Sequence, residues 1–114
     1  MANKYTCSNG ERVSQATIDR RRSETYKRIY AGEPHPLCGC GEPAQGTAHL
    51  VPQKICKDNG ITEYCWLEIN MVPACHRCNQ KIENISVATP EDWFYDRLVE
   101  VTKLILPERA AKII

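Results

Sequence analysis

The chain has 114 residues, of which 42% are hydrophobic and 25% are charged, and its formal net charge is +1. This length is typical of one domain with a modest core, to which a bound metal would add stability. No apolar run approaches a membrane span, and the N-terminus lacks the apolar core of a signal peptide. We therefore expect one intracellular, cytoplasmic domain over residues 1–114 with no membrane partner.

The first predicted element is a helix over about residues 14–30, after a polar segment, residues 1–12, that we expect to be irregular. Ser14 or Thr17 suits the N-cap, and Gly32 with Pro34 is expected to end the helix. Apolar side chains at helical spacing predict a partial apolar face. They are Ile18, Tyr26, Ile29 and Tyr30.

The same helix carries most of the positive charge. Residues 1–31 hold seven basic and three acidic side chains, a balance of +4, so the rest of the chain carries −3. This asymmetry favours a polyanionic partner, although a solvated helix face is the alternative interpretation. The cluster comprises Arg20, Arg21, Arg22, Lys27 and Arg28.

The central region predicts a two-stranded hairpin followed by a short helix. Glycines and prolines over residues 33–46 indicate tight turns, and the turn residues over 57–60 separate the two strands. We expect the first strand at 47–51, the second within 66–72, and the helix from residue 75 to about 83.

The last predicted helix spans about residues 90–106. Thr89 is a suitable N-cap, Pro90 fits the first helical position, and Pro107 should end the helix. An apolar stripe at helical spacing predicts a face turned to the core. Its members are Phe94, Leu98, Val101 and Ile105.

Seven cysteines without an export signal favour metal binding over a disulfide framework. Structural zinc takes four tetrahedral ligands, and two close cysteine pairs supply them. Glycine at 39 and 41 lets the first pair turn sharply. The predicted zinc ligands are Cys38, Cys40, Cys75 and Cys78.

Other ligand sets stay open at this point. Cys56 or Cys65 can replace one ligand, since a Cys-x-Cys pair is shorter than the usual spacing. His35 and His76 also lie near in sequence, and we expect His76 to face solvent or a phosphate. Cys7 is interpreted as a free thiol near a loose terminus. A redox role for the second pair is less consistent with the presence of the first.

Two segments resemble the HNH endonuclease family, in its Cys-Asn variant found in phages. The first is Ala48-His-Leu-Val-Pro52, and the second runs from Asn70 through Cys75-His-Arg-Cys78-Asn79 to Lys81. The resemblance covers about residues 37–84. It implies an α+β fold with a zinc-stapled ββα-metal (treble-clef) core, flanked here by the N- and C-terminal helices.

The resemblance also implies roles for three residues. His49 would be the general base, because imidazole titrates near neutrality. Asn70 would hold His49 in orientation through its side-chain amide. Asn79 would coordinate a catalytic Mg²⁺ or another divalent cation through its carbonyl oxygen. The structural zinc would only position these groups.

One residue departs from the family pattern. Members usually carry Asp or His immediately before the catalytic histidine, where it shares the cation, whereas this chain has Ala48. Glu68 or Asp58 is the expected replacement.

The sequence thus predicts a metal-dependent endonuclease acting on DNA, double-stranded and with little sequence specificity. Arg77 and Lys81, together with the basic cluster of the first helix, would contact phosphates. The alternative is an inactive HNH-like zinc module, a phage-encoded adaptor or inhibitor that binds nucleic acid or a protein. Neither substrate structure nor oligomeric state is predicted.

Overall fold

The computed structural model describes residues 4–31 and 37–112. Helices make up about half of the chain, and two small antiparallel sheets complete an α+β fold. The first sheet pairs β1 (Lys4–Thr6) with β2 (Arg12–Ser14). The second pairs β3 (Gly46–His49) with β4 (Met71–Ala74). The predicted α+β class is therefore confirmed.

The N-terminal segment forms a hairpin, although its polar composition predicted irregular structure. Its turn is closed by the Cys7 N–H, which donates to the Glu11 carbonyl at 2.8 Å. Gly10 has φ +91°, a left-handed conformation that glycine adopts without a Cβ penalty. Only Cys7 and Val13 of this hairpin are buried, so the sequence shows no alternating apolar pattern.

The first helix, α1 (Gln15–Ile29), agrees with its prediction, and Ser14 is its N-cap. The Ser14 hydroxyl accepts the Thr17 N–H at 3.3 Å. Ile18 is fully buried, whereas Tyr26 is 42% exposed, so the apolar face is narrower than predicted. The residues expected to end the helix, Gly32 and Pro34, lie outside the described part of the chain, as does His35.

The hairpin of β3 and β4 places His49 opposite Met71. The connection between the strands contains a helix that was not predicted, α2 (Gln53–Asp58). Two 3-10 turns, Thr62–Cys65 and Glu68–Asn70, follow it, and they delay the second strand by several residues. The next helix, α3 (His76–Glu83), begins directly after β4, as expected.

The C-terminal helix α4 (Tyr95–Ile105) begins five residues later than predicted. Thr89 is not its N-cap, because the Asp92 carboxylate accepts the Thr89 N–H at 2.8 Å and holds the preceding residues in a turn. The predicted apolar stripe of α4 is buried in the core, as expected. Pro107 opens a further short helix, α5 (Pro107–Ala110).

One hydrophobic cluster joins the N-terminal hairpin, α1, the β3–β4 hairpin, α3 and α4. Within the described ranges, every helix is too short or too polar to cross a bilayer.

Candidate functional site

The four cysteines of the two predicted pairs lie together in one cluster. Their Sγ atoms all fall within 4.8 Å of one another, and those of Cys40 and Cys75 are 3.7 Å apart. A tetrahedral zinc ion with Zn–S bonds of about 2.3 Å places its sulfur ligands about 3.8 Å apart. The cluster of Cys38, Cys40, Cys75 and Cys78 thus fits one zinc ion after a small contraction.

Short-range geometry builds each half of this cluster. The Cys38 N–H donates to the Glu42 carbonyl at 2.8 Å, and the Gly41 N–H donates back to Cys38 at 2.9 Å. Gly41 closes this tight turn with φ +94°. On the other side, Cys75 caps α3 and Cys78 lies in its first turn. Each pair is therefore preformed by its own few residues.

The two α3 cysteines have different electrostatic surroundings. The backbone N–H of Cys78 stabilises the Cys75 thiolate and lowers the pKa of Cys75 to about 7. Burial raises the pKa of Cys78, because the charged thiolate loses water. Four adjacent thiolates repel one another, and a dication compensates this repulsion. The donor set is consequently suited to a metal such as zinc.

Trp93 covers the cysteine cluster, a contact that the sequence did not predict. Its indole N–H donates to the Cys78 sulfur at 3.4 Å. The ring also lies against Gly39, where an added Cβ would stand 2.2 Å from the indole Cδ2 atom. The glycine between Cys38 and Cys40 is the sequence feature that could have indicated this close approach.

The remaining cysteines lie apart from the cluster, so the alternative ligand sets have no geometric support in the described part of the chain. Cys56 and Cys65 are fully buried, and their thiols donate to the carbonyls of Val51 and Gln53. Cys7 is free but buried, not at a loose end, and burial raises its pKa. His76 is exposed.

His49 lies at the end of β3 and is 8% exposed. Its Nε2 atom is 2.8 Å from the carbonyl oxygen of Cys65. Because a carbonyl only accepts, Nε2 carries the hydrogen and Nδ1 keeps a lone pair. Burial lowers the pKa of His49, and it outweighs the opposite effect of the hydrogen bond to the Cys65 carbonyl; the Arg22 guanidinium adds a smaller lowering. The imidazole is therefore neutral at neutral pH.

The side-chain amide of Asn70 hydrogen-bonds to groups other than the His49 ring, to which the prediction assigned it. Its buried amide instead binds Val51 twice, accepting the N–H at 2.8 Å and donating to the carbonyl at 2.9 Å. It also donates to the Tyr64 carbonyl at 2.9 Å. Asn70 thus joins the chain just after His49 to the turn that presents the Cys65 carbonyl. Its effect on the imidazole is indirect.

A cavity of about 240 Å³ opens beside His49. Asn79 and Glu83 line it from α3, where a spacing of four residues places both on one helix face. The other lining residues are Thr47, Pro52 and Gln53. The sequence prediction included Asn79 but missed Glu83, which its spacing from Asn79 could have indicated. The cavity brings an imidazole, an amide and a carboxylate together.

Position 48 has surroundings unlike those that the family pattern implies. Ala48 is 1% exposed and belongs to the hydrophobic core. The expected replacements, Glu68 and Asp58, are exposed and do not line the cavity. Glu83 is instead the carboxylate at this site.

The side chains of the predicted basic cluster differ in their partners and in their exposure. Arg21 pairs with Glu11 at 3.1 Å and stacks on the Trp66 ring at 4.8 Å. Arg22 pairs with Asp19 at 3.4 Å. Lys81 is paired with Asp92 at 3.0 Å, and Arg28 donates a hydrogen bond to Thr25. The other basic candidates are exposed: Arg20, Lys27 and Arg77. The cluster therefore combines ion-paired side chains with exposed ones.

Comparisons of the chain with family models, with curated proteins and with solved structures found no match. The fold and site define a small α+β protein with a four-cysteine metal-site candidate and an adjoining histidine cavity.

Proposed function

We propose that the protein is a metal-dependent endonuclease of the HNH type that hydrolyses DNA phosphodiester bonds with little sequence specificity. The observation that carries the proposal is the geometry of His49. Its Nε2–H is tied to the Cys65 carbonyl, and its ring borders a cavity shared with Asn79 and Glu83. The zinc-stapled ββα-metal core, about residues 37–84, belongs to the same proposal.

His49 is the general base of this mechanism. Its Nδ1 lone pair takes a proton from the attacking water, and the Cys65 carbonyl stabilises the positive charge that the ring then acquires. No described residue hydrogen-bonds to Nδ1, which leaves it available to water.

Asn79 and Glu83 are the proposed ligands of the catalytic cation. Mg²⁺ and Mn²⁺ prefer oxygen ligands, and these two side chains offer an amide oxygen and a carboxylate from one face of α3. When bound, the cation neutralises charge on the scissile phosphate. Glu83 thereby supplies the anionic ligand that the family pattern places before the histidine.

The structural zinc acts through α3. Cys75 and Cys78 fix the first turn of this helix, and Asn79 follows immediately. The direction of the Asn79 side chain therefore depends on the cysteine cluster. Zinc takes no part in the chemistry under this proposal.

The DNA contacts are electrostatic. Exposed Arg20, Lys27 and Arg77, with half-buried Arg22, can neutralise backbone phosphates, and such contacts carry no direct sequence information. Arg21, Arg22 and Lys81 are ion-paired, so each is a weaker candidate than the exposed cations.

A second candidate function is a zinc module of the same fold that binds nucleic acid or a protein without cleaving. Ala48 favours it, because the buried alanine can ligate nothing and Glu83 is the one carboxylate that lines the cavity among the described residues.

A plasmid-nicking assay with Mg²⁺, Mn²⁺ or no added divalent ion tests the proposal. Wild type should nick only with a divalent ion, and His49→Ala should reduce the rate by about a hundred- to ten-thousand-fold with its zinc retained. His76→Ala is the matched control, since His76 is exposed on α3 outside the cavity. Glu83→Gln should raise the Mg²⁺ concentration that nicking requires, whereas Glu100→Gln should not.

The proposal fails if wild type does not nick with any divalent ion while still binding DNA or a protein, which is the behaviour of the second candidate. It also fails if His49→Ala nicks as fast as wild type.

A further inference from the structure

We propose that a groove between α1 and the β3–β4 hairpin binds an unpaired nucleobase next to the scissile phosphate, so that the protein prefers DNA with single-stranded character. This inference rests on the proposed nuclease function and adds the class of substrate. The groove has a volume of about 400 Å³. That volume is at the lower end of the range for sites that hold small ligands.

One face of α1 forms the wall of the groove. Its residues lie three, four and seven positions after Asp19, which brings them to the same side of the helix. They are Asp19, Arg22, Ser23 and Tyr26. Gln45, Gly46, Thr47 and Met71 line the groove from the hairpin side. This polar helix face stands over the hairpin and leaves a space.

The groove adjoins the catalytic cavity. Thr47 lines both spaces, and Met71 is the cross-strand partner of His49. Under this proposal, a nucleotide whose phosphate reaches His49 places its base, or that of its neighbour, in the groove next to Thr47. Arg22 lies close enough to lower the pKa of His49, and its buried Nε has no hydrogen-bond partner in the described structure. This guanidinium is placed to hold the linking phosphate.

Tyr26 provides the stacking surface. The residue is 42% exposed, and its ring packs against Tyr30, whose ring centroid is 4.3 Å away. The Tyr30 hydroxyl donates to the Gly46 carbonyl at 3.0 Å, which ties the end of α1 to β3. The Gln45 amide offers a polar group to a base edge, and the Asp19 carboxylate is engaged by Gln15 and Arg22. Bases stay stacked on each other inside a duplex, so only an unpaired or extruded base can use this ring.

Fluorescence anisotropy without added Mg²⁺ or Mn²⁺ tests the groove, with a labelled single strand and the matched duplex as probes. Wild type should bind the single strand more tightly. Tyr26→Ala should weaken single-strand binding by roughly five- to 150-fold, the usual range for removal of one aromatic stacking partner, and change duplex binding less than about twofold. Tyr26→Phe keeps the ring and should preserve the preference.

Leu104→Ala is the matched control, because it removes an exposed apolar side chain outside the groove. The groove is refuted, and the nuclease proposal survives, if DNA is nicked but Tyr26→Ala leaves the strand preference unchanged. The groove is supported, and the nuclease proposal fails, if Tyr26→Ala abolishes the preference although wild type never nicks. Absence of DNA binding by wild type refutes both and favours a protein partner.

Discussion

The two halves of α3 contribute to two sites that are built in different ways. At its start, Cys75 and Cys78 meet a pair of cysteines whose turn is closed within residues 38–42. Further along, Asn79 and Glu83 face a histidine whose imidazole is held by a carbonyl sixteen residues away in sequence. One site depends on local motifs, and the other depends on how distant segments pack.

This difference predicts how each site fails. If the cysteine cluster holds the proposed zinc, its disruption should remove much of the fold. The histidine cavity depends on a few hydrogen bonds in a buried region, so its disruption should leave the fold standing. The experiments below separate these two behaviours, from the largest expected effect to the smallest.

Cys75→Ser should eliminate zinc binding and unfold or aggregate the protein, because structural zinc contributes on the order of 10 kcal/mol to such domains. Elemental analysis and circular dichroism measure the two effects. Cys56→Ala is the control, since Cys56 lies outside the cluster and the variant should keep one zinc equivalent. Zinc-free Cys56→Ala protein would mean that the four-cysteine ligand set is wrong.

Asn70→Ala should destabilise the protein by about 2–4 kcal/mol, because it leaves the buried N–H of Val51 unpaired and removes one donor from each of the Val51 and Tyr64 carbonyls. Zinc should stay bound, in contrast to the cysteine variants. Urea unfolding measures the change. Asn59→Ala removes a hydrogen bond from an exposed side-chain amide and should cost less than about 1 kcal/mol of stability. Equal destabilisation by the two substitutions would show that Asn70 is not the clamp described above.

Gly39→Ala should cost about 1–3 kcal/mol, because the new methyl group overlaps the Trp93 ring. Gly46→Ala is matched to it, since an added Cβ there meets nothing within 4 Å. The double variant with Gly39→Ala and Trp93→Ala should be less destabilised than the sum of the two single variants. Thermal unfolding of wild type, the two single variants and the double variant gives this double-mutant cycle. Additive effects would show that the two residues do not interact.

The acid limb of nicking activity should lie below the usual histidine pKa of about 6.5. Burial lowers the pKa of His49, so the neutral base persists to lower pH and activity falls only when the pH approaches the lowered value. The rate profile, together with an NMR titration of the His49 ring, measures this. An acid limb above a pH of about 6.5 would indicate a different titrating group.

Arg20→Ala with Lys27→Ala should reduce the slope of log affinity against log salt by roughly two, about 0.9 for each phosphate that the protein no longer neutralises. Arg21→Ala should leave the slope unchanged, because Arg21 is engaged with Glu11 and Trp66. A change in slope for Arg21→Ala alone would show that Arg21 also contacts the DNA.

Much of the molecule followed from the sequence by itself. The four clustered cysteines, α1, α3 and the buried stripe of α4 were all predicted. Each of these depends on interactions between residues that are near in sequence: caps, helical periodicity, and ligand pairs separated by one turn. Local chemistry of this kind is visible in a string of residues.

The tertiary structure alone decided what surrounds His49. The contact with the Cys65 carbonyl and the clamp made by Asn70 depend on how the 53–70 connection folds back over β3. Trp93 likewise lies outside the helix predicted for it, because the Asp92 carboxylate holds the chain in a turn beside the cysteine cluster. Backbone acceptors and long-range contacts have no residue signature, so spacing along the chain cannot reveal them.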